Sequence, residues 1–288
     1  GVLMLNRSWE GVHTALVTPF FNEALDLSSF GSLLQRQLDG GVQGVVVCGT
    51  TGETPTLENE EWELLLRETV AQVGGRARVT AGVGSNSTRS TVRNVERALA
   101  LGVEAGLLVL PYYNKPTPEG LFAHVRAAAA PGLPLIVYHV PGRTGQRVAP
   151  ELLAELCNLP GVVACKEATG DLSYGQDLML GTATPVLSGD DFTWLPLLSV
   201  GATGVISVLS NVAPRLTVAV WEAWRQGNVA EAARIHRQLY PLVRYLFAQS
   251  NPVPVKAALA AMGLCRAECR LPLTAGKAPA PELLVGLS

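Results

Sequence analysis

Short apolar runs recur along the chain: VHTALVTP (12–19), VQGVVVCG (42–49), ARVTAGVG (77–84), VEAGLLVL (103–110), LPLIVYHV (133–140), VVACK (162–166), PVLSG (185–189) and GVISV (204–208). They are close to continuous rather than alternating, as parallel strands covered on both faces should be. Between them the period becomes helical. In LENEEWELLLRETVAQVG, Trp62, Leu65, Leu66, Thr69, Val70 and Val73 share one face. Glu58, Glu60 and Glu61 fall in its first turn, where carboxylates suit the helix dipole. TPEGLFAHVRAAAA opens with Thr117 as N-cap and Pro118 at the first helical position. TRSTVRNVERALALG and APELLAELC follow the same pattern.

Eight strands alternating with helices predict an α/β fold of the (β/α)8 TIM-barrel type, with an open doubly wound sheet as the alternative. Neither a G-x-G-x-x-G fingerprint nor a Walker loop is present, which weakens the open-sheet nucleotide reading. After Ala213 only helical patterns follow, ending in NVAEAARIHRQLYPLVRYLFAQS and PVPVKAALAAMG. The expected organisation is an N-terminal tail at 1–10, a barrel over 11–226 and a C-terminal helical appendix over 227–288.

Composition narrows the class of function. A formal net charge of -2 provides no basic field for nucleic acid. No apolar stretch reaches membrane-spanning length, and GVLMLNRSWEG at the N-terminus lacks the form of a secretory leader, so a cytoplasmic protein is expected. Five scattered cysteines fit a reducing compartment. Cys265 and Cys269 are spaced for a helix face but have no second pair of ligands, and no metal or cofactor is expected. Charged residues make up 16% of the chain, against roughly 25% in ordinary soluble domains, which predicts that surface is hidden in a homo-oligomer, a dimer or tetramer.

Catalytic groups of a barrel sit at the C-terminal ends of its strands. Here the second run ends in GTTGE (Gly49–Glu53), the third at Asn86, the fourth in PYYNKP (Pro111–Pro116) and the fifth in YHVPGRTG (Tyr138–Gly145). The sixth ends at Lys166, the seventh in SGDD (Ser188–Asp191), and the eighth carries Ile206 and Ser207. Lys166 stands out because the chain has only four lysines against eighteen arginines. Lysine offers what arginine cannot, an amine that sheds its proton and attacks a carbonyl. The bland alternative is a strand-end lysine snorkelling to solvent. A neutral amine attacking a ketone loses water to give an iminium, whose neighbouring carbon then deprotonates to an enamine. Each step moves a proton, so a hydroxyl relay is needed, with Tyr138, Tyr113 and Thr50 as candidates. Arg143 presents a planar fork suited to a carboxylate. His13 and His139, lone histidines beside strands, read as packed rather than catalytic.

As a set, GTTGE, PYYNKP, YHVPGRTG, KEATGD, LSGDD, GVISVLSN and NPVPVK resemble the dihydrodipicolinate synthase / N-acetylneuraminate lyase family, in order and nearly in spacing, from about Trp9 to Gly263. The resemblance implies a (β/α)8 barrel with C-terminal helices, usually dimeric or tetrameric, that works as a pyruvate-dependent class I aldolase. By matching positions, Lys166 would form the Schiff base with pyruvate and Tyr138 would be the acid/base at the imine. Thr50 would link Tyr138 to Tyr113, which in the family reaches the neighbouring subunit's site. Thr51 would hold the pyruvate carboxylate, Arg143 that of the second substrate, and Gly189 and Ile206 would shape the site through their carbonyls. Arg143 favours the synthases, which condense pyruvate with L-aspartate 4-semialdehyde in lysine and diaminopimelate biosynthesis. The alternatives are cleavage of 4-hydroxy-2-oxoglutarate or a 2-keto-3-deoxy sugar acid, and a catalytically silent binding barrel. His139 replaces the asparagine common after the tyrosine. Asn59, Trp62 and Ser90 stand where lysine-sensitive members often carry His, His and Glu, so inhibition by lysine is expected to be weak or absent.

Overall fold

The computed structural model describes residues 9–287, so the first eight residues of the expected tail lie outside the described residues. In chain order the first half comprises β1 (Gly11–Ala15), β2 (Phe20–Phe21), β3 (Ala24–Leu25), α1 (Leu27–Gly40), β4 (Gly44–Val47), α2 (Asn59–Val73), β5 (Arg78–Gly82), α3 (Thr88–Ala100), β6 (Ala105–Val109) and α4 (Pro118–Ala129). There follow β7 (Leu135–His139), α5 (Pro141–Thr144), α6 (Pro150–Cys157), β8 (Val162–Glu167), α7 (Leu172–Gly181), β9 (Val186–Ser188), α8 (Trp194–Leu198) and β10 (Gly204–Ser207). Three helices end the regular structure: α9 (Pro214–Arg225), α10 (Val229–Leu246) and α11 (Val253–Ala261).

Eight of the strands close into one parallel barrel in the order β1-β10-β9-β8-β7-β6-β5-β4, with β4 pairing back onto β1. The predicted barrel is therefore the fold, and each of its strands falls within or beside one of the eight apolar runs. Burial on both faces explains why those runs do not alternate. Outward residues such as Val45, Val79, Leu135 and Cys165 pack under the helices, while Ala15, Val46, Leu107, Ile136, Ala164, Leu187 and Ile206 fill the interior. His13 plugs the interior beside Gly44, where an added Cβ would lie 2.2 Å from its Nδ1.

Helix caps agree with the sequence. Glu58 and Glu61 form a reciprocal capping box on α2, and the Thr117 hydroxyl accepts from the Gly120 N–H ahead of α4. The alternation did not announce the β2–β3 hairpin, whose two-residue turn places Asn22 and Glu23 at φ +48° and +72°. Beyond α11 the chain runs irregularly, apart from one turn at Pro281–Leu284, and is tied down at Arg270. That guanidinium pairs with Glu61 at 2.6 Å and donates to the carbonyls of Glu23 and Thr56. No helix among the described residues is long and apolar enough to cross a membrane.

Candidate active site

The position of Lys166 depends on one extra residue in its strand. Leu135 on β7 pairs with Val162 on β8, but the next residue, Ile136, pairs with Ala164, so Val163 is a bulge. Without it Tyr138 would face Cys165, and the lysine would turn outward beneath the helices. With it Tyr138 and Lys166 are direct neighbours, both pointing into the barrel. The Lys166 amine lies 3.9 Å from the centroid of the Tyr138 ring, and the two residues are only 7% and 6% exposed.

A cavity of about 380 Å³ opens at this end of the barrel. Thr50, Thr51, Tyr138, Arg143, Lys166, Gly189 and Ile206 all line it, so seven of the eight expected site residues converge. Gly189 has a steric reason to be glycine, since an added Cβ would fall 2.9 Å from Lys166 Cε and 2.7 Å from the Ala168 Cβ. The missing side chain leaves the lysine its path. Thr51 is buried, and its Oγ1 accepts from Asn251 Nδ2 at 2.8 Å. Arg143 sits exposed at the mouth, and its Nη2 donates to the Asn251 carbonyl at 3.2 Å.

Tyr113 is not among the residues lining this cavity. It is 87% exposed, with φ +76°, and its N–H donates to the Thr144 carbonyl at 3.1 Å. A bulky residue held in the left-handed region with its ring in water is unusual, and such strain persists where function requires it.

Buried carboxylates frame the site from outside. Asp191 accepts from Ser207 Oγ at 2.6 Å and from the backbone N–H groups of Val208 and Leu209, which fixes the end of β10 beyond Ile206. Its burial raises its pKa to about 6. Glu167, directed away from the cavity, accepts from the Thr169 N–H at 2.6 Å, and burial raises its pKa also. Sequence reasoning gave no role to Asn251, Glu53 or Lys256. Their motifs were visible, but the contacts that join them span 200 residues or more.

The two strand histidines are packed, as expected. His139 Nε2 accepts from the Val148 N–H at 3.2 Å, and the ring stacks on Tyr174. Burial, with a smaller contribution from Arg147, lowers its pKa to about 4. His13 donates to the Glu10 carbonyl and is lowered to about 4, chiefly by burial. A folded-state pKa below the unfolded value means that the unfolded chain takes up the proton first. Their titration therefore costs almost no stability at pH 7, and it costs progressively more as pH falls from about 6.5 to about 4. Replacing His139 with asparagine is expected to shrink the stability lost between pH 7 and pH 4.5 by about 2 kcal/mol, measured by urea unfolding at both pH values.

A closed parallel barrel with an inward lysine at a strand end, a neighbouring tyrosine and a rim arginine suits a lyase-class enzyme of the class I aldolase kind, and the family and relatives below bear that class out. The chain belongs to the dihydrodipicolinate synthetase family, whose sequence profile matches residues 8–281. It is 48% identical over 267 residues to a 4-hydroxy-tetrahydrodipicolinate synthase of Nitratidesulfovibrio vulgaris, covering 91% of each chain. The dihydrodipicolinate synthase of Thermotoga maritima superposes with a TM-score of 0.92 at 42% identity, with 96% of each chain covered. A monomeric dihydrodipicolinate synthase variant superposes with a TM-score of 0.91 at 42% identity, covering 96% of this chain and 93% of that one.

Proposed function

We propose that the protein catalyses the 4-hydroxy-tetrahydrodipicolinate synthase reaction, the condensation of pyruvate with L-aspartate 4-semialdehyde. The observation that carries this reading is the Lys166 amine. It is buried beside the Tyr138 ring and lines the cavity, and among the described residues it has no ion-pair partner. The amine attacks the pyruvate keto carbon and expels its oxygen as water, leaving an imine. Loss of a methyl proton gives the enamine, which attacks the aldehyde carbon and turns its oxygen into a hydroxyl. The amino group of the semialdehyde then adds to the imine carbon, closing the ring and releasing Lys166. Tyr138 and Thr50 carry protons at the imine, and Thr51 holds the pyruvate carboxylate. Gly189 and Ile206 bound the reacting end of the cavity.

Arg143 at the mouth is suited to the carboxylate of the aldehyde substrate. Tyr113 acts in a neighbouring subunit, which makes the working form at least a dimer; its exposure and its backbone conformation favour that reading. Turnover of pyruvate with a panel of aldehydes tests the assignment, with aspartate semialdehyde expected to be the preferred partner. In Arg143→Ala the KM for that aldehyde should rise roughly 10–100-fold, the worth of a charge-assisted hydrogen bond, with the KM for pyruvate little changed. Equal turnover of uncharged aldehydes by the parent enzyme would remove the argument for Arg143.

A further inference from the structure

Two lysines are buried around this end of the barrel, and they are treated oppositely. Lys166 has no carboxylate partner among the described residues, whereas the fully buried Lys256 on α11 meets Glu53 Oε2 at 2.6 Å. The Lys256 amine also donates to the Thr18 carbonyl at 2.8 Å and lies 4.4 Å from the centroid of the Phe20 ring. The other oxygen of Glu53 accepts from the Arg270 backbone N–H at 3.0 Å. Neither Glu53 nor Lys256 lines the cavity.

Glu53 ends the turn that carries Thr50 and Thr51. Its N–H donates to the Thr50 carbonyl at 3.0 Å, and its φ of +56° lies in the left-handed region, which a residue with a Cβ enters only at a cost. The turn is held from a second side by Thr18, whose hydroxyl donates to the Gly52 carbonyl at 2.7 Å. Asn251, five residues before Lys256, reaches the Thr51 hydroxyl itself. The GTTGE turn is thus gripped by the segment 251–270, more than 180 residues away in sequence.

A buried ion pair adds little net stability over an apolar pair of similar size, but it demands one geometry. We infer that the Lys256–Glu53 pair is a positioning device for the reaction. It locks the Thr50–Thr51 turn in the form that receives the pyruvate carboxylate, so the C-terminal segment sets pyruvate affinity. This rests on the reading of Thr51 given above.

The test replaces the pair with neutral groups, Glu53→Gln with Lys256→Met. Glutamine keeps an acceptor for the Arg270 N–H and methionine fills the volume. The melting temperature should stay near that of the parent. The KM for pyruvate should rise about tenfold or more, while kcat and the KM for the aldehyde stay within about threefold, the mark of lost binding rather than lost chemistry. A folded double variant with an unchanged pyruvate KM overturns the inference. So does a joint collapse of kcat and both KM values that tracks a fall in melting temperature, because the pair would then serve stability alone. If the double variant is recovered only unfolded, Thr18→Val decides. This nearly isosteric change frees the same turn at Gly52; a raised pyruvate KM with kcat kept supports the inference, and an unchanged KM overturns it. Thr51→Val is measured alongside. If that variant binds pyruvate normally, the reading of Thr51 falls; if it does not while the double variant does, only the clamp falls.

Discussion

Lys166→Met loses turnover by four orders of magnitude or more while the protein stays folded, with a melting temperature at or above that of the parent. The two halves of this expectation have one cause. The residue is 7% exposed, its amine lies over the Tyr138 ring, and no carboxylate pairs with it among the described residues. An amine held on a mostly buried side chain without a carboxylate partner adds little to a fold, and methionine fills the same space with no charge to solvate. On the proposed mechanism the chemistry loses its nucleophile, and a deficit of about 5 kcal/mol in transition-state stabilisation corresponds to that fall in rate. Lys166→Arg makes the complementary point, since a guanidinium keeps the charge but cannot be deprotonated to attack a ketone. The direct readout is borohydride reduction in the presence of pyruvate followed by peptide mass spectrometry. The parent should carry one adduct at Lys166 and the variants none. An adduct at Lys115, or turnover by the methionine variant within tenfold of the parent, would end the Schiff-base assignment.

The barrel was legible because its strands are buried on two faces, and eight unbroken apolar runs separated by helical periods have few other solutions. Lys166 was legible for a compositional reason, as a lysine at a strand end in a chain that prefers arginine. What the sequence could not show was why that lysine faces inward. The Val163 bulge sits inside the run VVACK, and an extra apolar residue in an apolar run leaves no trace in the pattern. The clamp on the GTTGE turn was hidden differently. Lys256 lies in the helical stretch VPVKAALAA, where a lone charge reads as a solvated face, yet it is fully buried against a partner 203 residues away. Local periodicity carries no information about such a contact. Tyr113 was nominated by its motif alone, and the fold of one chain leaves its ring in water and outside the cavity lining.

Tyr138→Phe separates the proposed proton relay from everything else the tyrosine does. The ring remains, so the packing against Ile136, Ala164 and Leu187 and the aromatic face beneath the lysine are conserved, and only the hydroxyl is lost. Expected is a fall in kcat of about 10²–10⁴-fold, the usual worth of a positioned acid/base, with pyruvate KM nearly unchanged. Imine trapping by borohydride should still reach Lys166 but more slowly, because dehydration of the first adduct needs a proton delivered to its oxygen. Thr50 supplies the sharper criterion. It lines the same cavity, and if its hydroxyl feeds the tyrosine, the two act as one unit. Thr50→Val combined with Tyr138→Phe should then cost little more than the worse single change, because a relay broken once cannot be broken again. Multiplicative losses would mean that the hydroxyls serve separate steps, with Thr50 acting on the substrate itself rather than through Tyr138.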